Sequence, residues 1–401
     1  MERSKIAIIG SGPAGLSAAG RAHELGIDYV LLEKTDHLSD TIYKYQRGKY
    51  IMATPDQLPL RSDFEFTAGS RESIIGNWDA QAAGISLKVR LKAEVKAISG
   101  RKGEFTIELA GGETIGADFI VLAVGVQGNP NKLMQPGGDL PFIQYQLDDP
   151  GEYFDENIIV IGGGDAAIEN ALGLVQNRDQ DNIVTLIQRA DGFPRAKEAN
   201  VQALYAAEQS GRLDFLTEAQ LLRIEKGGSG EHPWIAVIDA KDGEARLACD
   251  RVIARLGAAP PRKFVEAAGV RFTGPDREAF PELSPNYESS VPGLYVIGAL
   301  AGYPLIKHCM NQGHDVIEII NGNSTIEPPD TPLLAAMFRP LPGSRSVDQW
   351  LDYIRSRVEI LGDVSPLQMR EFMLASTIHY KKAGEIVVKR NDTGSSIFGI
   401  V

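Results

Sequence analysis

Two short glycine clusters hold the residue types and spacing that can do chemistry. Gly10, Gly12 and Gly15 form GxGxxG directly after the apolar run of residues 5–9, and Pro13 and Ala14 open the helix that follows. Gly10 suits a tight turn, Gly12 lets a pyrophosphate approach the backbone, and Gly15 lets the helix pack close to the strand. The free N–H groups of the helix start then face the anion. Glu33 stands 18 residues after Gly15, followed by Lys34, where a carboxylate takes the hydroxyls of an adenosine ribose and repels a 2′-phosphate. Gly162, Gly164 and Ala167 form a second cluster, GxGxxA, with Asp165 and Ala166 at the next helix start. Its second strand ends on Gln188-Arg189 without an acid, and Arg195 and Lys197 follow. Losing the acid removes the repulsion and Arg189 adds a charge-assisted partner, which favours NADPH over NADH at this loop.

The elements that must position these loops read as two βαβ units about 150 residues apart. In the first, strands are predicted at 5–9 and 28–33 with a helix between them to about residue 23. Residues 88–98 and 104–109 read as antiparallel strands and 118–125, ending on Gly125, as a buried strand. The second unit has strands at 157–161, 183–188, 212–216, 234–239 and 250–256. Residues 293–298 form a late strand ending on Gly298-Ala299, and a helix spans about 305–321. The predicted fold class is α/β, with two Rossmann-like domains, one inserted in the other. The first comprises residues 1–126 and 259–326, and the inserted one 127–258. Residues 327–343 hold five prolines, so 327–345 read as a linker; 346–374 read as helical and 377–401 as short strands.

Composition narrows the function class. With 41 basic and 53 acidic residues the net charge is −12, which argues against nucleic acid as a partner. The two cysteines, Cys249 and Cys309, form no CxxC, and the six histidines show no metal-ligand spacing, so no metal is expected. No apolar run approaches the length of a membrane span, the N-terminus lacks a signal-peptide layout, and a cytoplasmic address is expected.

The stretches GSGPAGLSAA, VLAVG, IIVIGGGDAAIENAL, VTLIQRADGFPRAK and GLYVIGALAG resemble the two-dinucleotide-binding flavoproteins, in particular their thioredoxin-reductase-like branch, over roughly residues 1–325. The resemblance implies FAD on the first loop, NAD(P)H on the second and a homodimer. It also implies that Lys307 and His308 lie near the flavin pyrimidine edge. Two departures stand out. Residues 34–60 and 130–157 contain no cysteine, so the dithiol relays of the family are absent. Ala299 occupies the place of an aspartate that binds the ribityl chain in the family.

Residues 346–401 resemble the opening of a cyclic-nucleotide-binding domain, with turns at Gly384-Glu385 and Thr393-Gly394-Ser395; the phosphate cradle of such a domain is expected beyond Val401. Together these features predict an FAD-dependent NAD(P)H oxidoreductase. It would pass electrons to a ferredoxin-like protein, a quinone or a small oxidant, with regulation by a cyclic nucleotide in a longer chain. A flavin monooxygenase and a non-catalytic nucleotide-gated sensor are the alternatives.

Overall fold

The computed structural model describes residues 2–227, 232–323, 325–362, 364, 366–389 and 398–401. The central strand of the first unit, Glu2–Ile9, pairs in parallel with Tyr29–Leu32 on one side and Thr114–Leu122 on the other. Ile6, Ala7 and Ile8 are fully buried. A strand covered on both faces has no use for polar alternation, and its apolar run reflects that. Leu294–Val296 joins the far side of Thr114–Leu122 although about 170 residues separate them in sequence. The first unit is thus closed by a late strand that returns after the second unit.

The second unit builds its own parallel sheet in the order Asp214–Leu216, Ile183–Ile187, Asn157–Ile161, Arg251–Ala254, Ile143–Gln144. Beside it lies an antiparallel sheet of Gln220–Lys226, Trp234–Ala240 and Gly243–Cys249. Two of those three strands are absent from the sequence reading, since their interleaved Arg, Glu and Lys resemble loop composition.

The helices Pro13–Glu24 and Ile306–Ile320 pack backbone to backbone. A Cβ on Gly313 would overlap the carbonyl oxygen of Ala14 and crowd the amide of Ala18, and the Ser17 hydroxyl donates to the Met310 carbonyl at 2.6 Å. Lys307, Asn311 and Asp315 share a stripe along the later helix and hold residues 55–61 against it. Lys307 Nζ donates to the Pro55 carbonyl at 2.7 Å, Asn311 Nδ2 to the Pro59 carbonyl at 2.9 Å, and Asp315 pairs with Arg61 at 3.3 Å.

Three expectations need correction. Residues 88–98 are not one antiparallel strand. Val89–Arg90 joins the parallel sheet, the chain turns at Lys92 with φ +55°, and only Val95–Ser99 runs antiparallel to Phe105–Leu109. The linker is a packed segment: Thr331–Phe338 is a helix whose Leu334 and Phe338 are buried against Trp350, Leu351 and Ile354. Apolar residues at i and i+4 outweigh the flanking prolines, and Pro332 sits in the first turn, where its missing N–H costs nothing. The helical region 346–374 comprises two helices, Val347–Arg357 and Pro366–Leu374. The first carries a capping box between Ser346 and Gln349.

Residues 377–389 form no strand. They contain a turn at Gly384, where the Glu385 amide donates to the Lys382 carbonyl, and Ile386 is 67% exposed. An apolar segment without a neighbour to pair its backbone gains nothing from extension into a strand. The turn at 393–395 lies outside the described residues.

The helix contact sets up a paired comparison. Gly313→Ala forces a methyl into a backbone contact and should destabilise the protein by about 1–3 kcal/mol. Gly76→Ala places the same methyl in open space on the helix Arg71–Gly84 and should stabilise it by about 0.5–1 kcal/mol. Thermal unfolding of the two variants should move the midpoint in opposite directions.

Candidate functional site

The two packed helices begin at the rim of one cavity of about 400 Å³. Gly10, Gly12, Pro13, Ala14, Glu33 and Lys34 line one end. Gly125, Gly298 and Ala299 line its floor, and Tyr45, Gln127, Pro304, Ile306 and Cys309 the other end. Gly15 lies beneath the wall. A Cβ there would overlap the Gly10 carbonyl, while one on Gly10, held at φ +99°, would sit 2.6 Å from the Ala123 carbonyl. Gly12 meets nothing within 4 Å, so its backbone is open to an incoming group. The tight turn at Gly10 and the close helix packing at Gly15 are both present.

Glu33 is 5% exposed, and protein donors orient its carboxylate. Oε2 accepts from the Ser11 amide at 2.8 Å and the Ser11 hydroxyl at 2.7 Å; Oε1 accepts from the Thr35 amide at 3.1 Å and the Thr35 hydroxyl at 3.2 Å. A ribose hydroxyl would share these oxygens by displacing one of the two side-chain hydroxyls.

Gly298, at φ +76°, donates its amide to Gln312 Oε1 at 2.7 Å, which fixes the turn that has lost its carboxylate. Gln312 is 3% exposed and does not line the cavity. Open backbone at Gly12 and an anchored acid at Glu33 fit a flavin dinucleotide.

Lys307 and His308 do not line the cavity. Lys307 Nζ is spent on the carbonyls of Pro55 and Asp56. His308 packs its ring against Tyr303, its Nε2 lacks a partner among the described residues, and burial lowers its pKa. On this first helical turn Ile306 and Cys309 face the cavity, three residues apart. The end of the helix, not a cationic side chain, is what the structure presents there. The Cys309 thiol donates to the Tyr303 carbonyl at 3.1 Å, and burial pushes its pKa up to about 12.

At the second loop, Gly162 has φ +146°, and a Cβ there would overlap the Arg255 carbonyl. Gly164 is open, Ala166 is half-buried, and Ala167 is packed beneath Gly162. Gln188 lies over Gly163 so closely that a methyl on that glycine would strike its amide. Asp165 faces neighbouring protein: its Oδ1 accepts from the Lys197 amide and from Asn200 Nδ2, both at 2.8 Å. That bond ties the segment carrying Arg195 to the helix start. Arg189 and Arg195 are exposed, and neither forms an ion pair among the described residues.

Every residue lining the cavity belongs to 9–129 or 261–309, so the second loop lies outside it. The units join through a double crossing, where Asn129 and Ala259 exchange bonds at 3.2 Å and the Asn131 amide donates to the Gly257 carbonyl at 3.0 Å. A set of polar contacts bridges them further. Lys49 pairs with Glu169 at 2.6 Å, Arg47 with Asp149 at 2.7 Å, and Asn170 donates to Gln46 at 2.9 Å. Tyr45, on the same segment, feels the Glu169 charge and lines the cavity. Neither these bridging residues nor Gln312 stands among the candidates read from the sequence, although the aromatic and basic residues of 43–50 are a signal that could have pointed to the former.

A family described as pyridine nucleotide-disulphide oxidoreductase matches residues 7–298. The chain is 28% identical over 307 residues to the ferredoxin–NADP reductase of Gluconacetobacter diazotrophicus, covering 75% of this chain and 84% of the relative. It is 27% identical over 317 residues to a bacilliredoxin reductase of Bacillus subtilis, covering 75% and 91%. In fold it is similar to a bacillithiol disulfide reductase from Staphylococcus aureus, with a TM-score of 0.71 and 23% identity over 81% of this chain and 100% of that one.

The thiols give a direct check. Burial raises the pKa of Cys309 to about 12 and that of Cys249 to about 11, so both are protonated at pH 8. A thiolate-selective reagent at pH 8 should label neither in the folded protein and both after denaturation. Rapid labelling of the folded chain would contradict the inert placement of Cys309.

Proposed function

Because the chain belongs to the pyridine nucleotide-disulphide oxidoreductase family, we propose that it draws electrons from NADPH through FAD and hands them to a small protein acceptor of the ferredoxin type. It is an FAD-dependent NAD(P)H oxidoreductase, and the acceptor is the part that the proposal adds. The observation that carries it is the cavity's single, protonated thiol. Cys309 has no second cysteine to form a disulfide with, since Cys249 lies buried in the core of the other unit. Without a dithiol relay, electrons leave by direct transfer from the flavin end. A ferredoxin-type carrier suits that exit, and the relatives named as ferredoxin–NADP reductases share the matched region. The same relatives favour a reductase over a monooxygenase or a sensor.

When bound, FAD would supply a ring able to accept hydride from NADPH and to pass electrons onward. The chain's residues bind and orient. In this reading Gly10–Gly15 hold the FAD pyrophosphate on backbone N–H groups, Glu33 takes the adenosine ribose, and Gln312 fixes the backbone of the Gly298-Ala299 turn along the cavity. Ile306 and Cys309 put the start of the helix Ile306–Ile320 at the ring end. Gly162–Gly164 hold the NADPH pyrophosphate, and Arg189 with Arg195 take its 2′-phosphate, supported by their exposure without ion pairs. The domain assignment follows: FAD on residues 1–126 and 259–326, NADPH on 127–258.

Residues 346–401 are included as the helical opening of a cyclic-nucleotide-binding-like module, supported by the two helices before the Gly384-Glu385 turn. A homodimer, which rests on the family resemblance, and a cytoplasmic address, which rests on the sequence reading, complete the proposal.

NADPH-driven reduction of a ferredoxin, followed anaerobically beside a dye acceptor, tests the function. Turnover of the dye with no ferredoxin reduced would remove the proposed acceptor. Arg189→Ala should raise the KM for NADPH by about 5- to 150-fold and leave that for NADH nearly unchanged. Equal losses for both nucleotides would take the 2′-phosphate role from Arg189.

A further inference from the structure

The strand order of the second unit reverses beside the strand Asn157–Ile161. Asn157–Ile161 has the next strand in sequence, Ile183–Ile187, on one side and Arg251–Ala254 on the other, all parallel. In open parallel sheets, ligands enter at the carboxyl ends of the strands where the order reverses. The two residues at those ends are Gly162 and Arg255. The Arg255 amide donates to the Ile161 carbonyl at 2.7 Å, and the two backbones lie so close that Gly162 has no room for a side chain.

The Arg255 side chain is poorly satisfied. One terminal nitrogen donates to the Tyr145 carbonyl at 2.5 Å, while Nε is buried and has no partner among the described residues. No carboxylate pairs with the guanidinium among those residues. The carboxylate whose charge favours it, Glu169, is committed elsewhere: Oε2 to Lys49 at 2.6 Å and Oε1 to Asn200 at 3.4 Å. Burial lowers the pKa of the guanidinium, yet arginine keeps its proton in proteins. A half-withdrawn cation without a bonded anion is costly unless an anion arrives to complete it. The adjacent loop is open at Gly164 and is followed by a ten-residue helix, Asp165–Leu174, with free N–H groups at its start.

We propose that Arg255 is a pyrophosphate-binding residue, the side-chain complement to the backbone N–H groups of Gly162–Gly164, and that it sets affinity for NADPH and NADH alike. The inference rests on the reading of the second loop as the nicotinamide-nucleotide site and adds a residue to it. It separates two jobs: Arg189 reads the 2′-phosphate, which NADH lacks, and Arg255 reads the diphosphate, which both nucleotides carry.

Two fragments of the nucleotide separate these roles. ADP-ribose contains the pyrophosphate and lacks the 2′-phosphate; 2′-AMP contains the 2′-phosphate and lacks the pyrophosphate. Calorimetry on the flavin-loaded full chain should show Arg255→Gln weakening ADP-ribose and NADP⁺ by about tenfold or more. Binding of 2′-AMP should change by less than about twofold. The KM values for NADPH and NADH should rise by the same factor with kcat little altered, and Arg255→Lys should recover part of the affinity. Arg255→Ala, read the same way, covers the case in which the glutamine variant fails to accumulate. Unchanged ADP-ribose binding in a flavin-loaded variant would overturn the role of Arg255. So would equal weakening of 2′-AMP, which marks a disturbed domain. Failure of the wild-type chain to bind NADP⁺ or ADP-ribose would instead overturn the nucleotide reading beneath it.

Discussion

The molecule depends on a few places where backbone meets backbone with no room for a Cβ. Gly15 lies on the Gly10 carbonyl, Gly10 on Ala123, and Gly313 on Ala14. These contacts pull the helix Pro13–Glu24 onto the strand before it and the helix Ile306–Ile320 onto that helix. The consequence is geometric. Two helix starts separated by almost 300 residues open at one cavity, and their unpaired N–H groups face the same volume. A side chain at any of the three glycines would push an element outward, and the cavity would lose a wall before any contact to a ligand was lost.

The second unit repeats the device with different edges. Gly162 lies on the Arg255 carbonyl as Gly10 lies on that of Ala123, so in each unit the glycine turn is seated on the end of the neighbouring parallel strand. The neighbour differs: alanine in the first unit, a half-buried arginine in the second. Glu169, Lys49 and Tyr45 then connect the second unit to the wall of the cavity, through an ion pair at 2.6 Å and a cation over the Tyr45 ring at 4.8 Å. The pair Lys49–Glu169 is partly solvent-exposed and is worth about 1 kcal/mol or less on its own. Contacts this weak hold an orientation without freezing it, which suits two units whose only covalent links are the crossings near Asn129–Asn131 and Gly257–Ala259.

Much of this was legible in the sequence because the constraints are local. A glycine that must turn, a glycine that must yield to a helix and an acid at the end of the next strand lie within 24 residues, from Gly10 to Glu33. The apolar runs of two-sided strands are equally plain. What the sequence hid depends on register and on distant partners. The family resemblance put Lys307 and His308 beside the flavin, but carbonyls of residues 55–56 claim the lysine, and the helical register turns Ile306 and Cys309 to the cavity. Gln312 is bonded to Gly298 across 14 residues that include a 3₁₀ turn. Arg255 is noteworthy only because its strand ends beside Gly162. The alternation in 377–389 resembled a strand, and a strand needs a partner that sequence alone does not supply.

The C-terminal helices are more firmly attached than their proline-rich lead-in suggests. Arg370 binds Asp330 at 2.9 Å, Asp348 at 2.6 Å and the Thr331 hydroxyl at 2.6 Å, and both Arg370 and Asp330 are buried. Removing one member would leave a buried charge, so the pair fixes the packing of the helices whatever its net contribution to stability. Gln57 donates to the Leu374 carbonyl and Arg61 to the Glu327 carbonyl, anchoring these helices to residues 55–61, the segment that Lys307 and Asn311 also hold. The charge of Asp330 reaches both Tyr303 and His308, and the Tyr303 carbonyl accepts the Cys309 thiol. The first turn of the helix Ile306–Ile320 therefore has three neighbours: the cavity through Ile306 and Cys309, residues 55–61 through Lys307, and Tyr303 with the electrostatic reach of Asp330 through His308. The C-terminal helices therefore reach the helix start at the cavity through a short series of neighbours, on a helix that Gly313 already seats against Ala14.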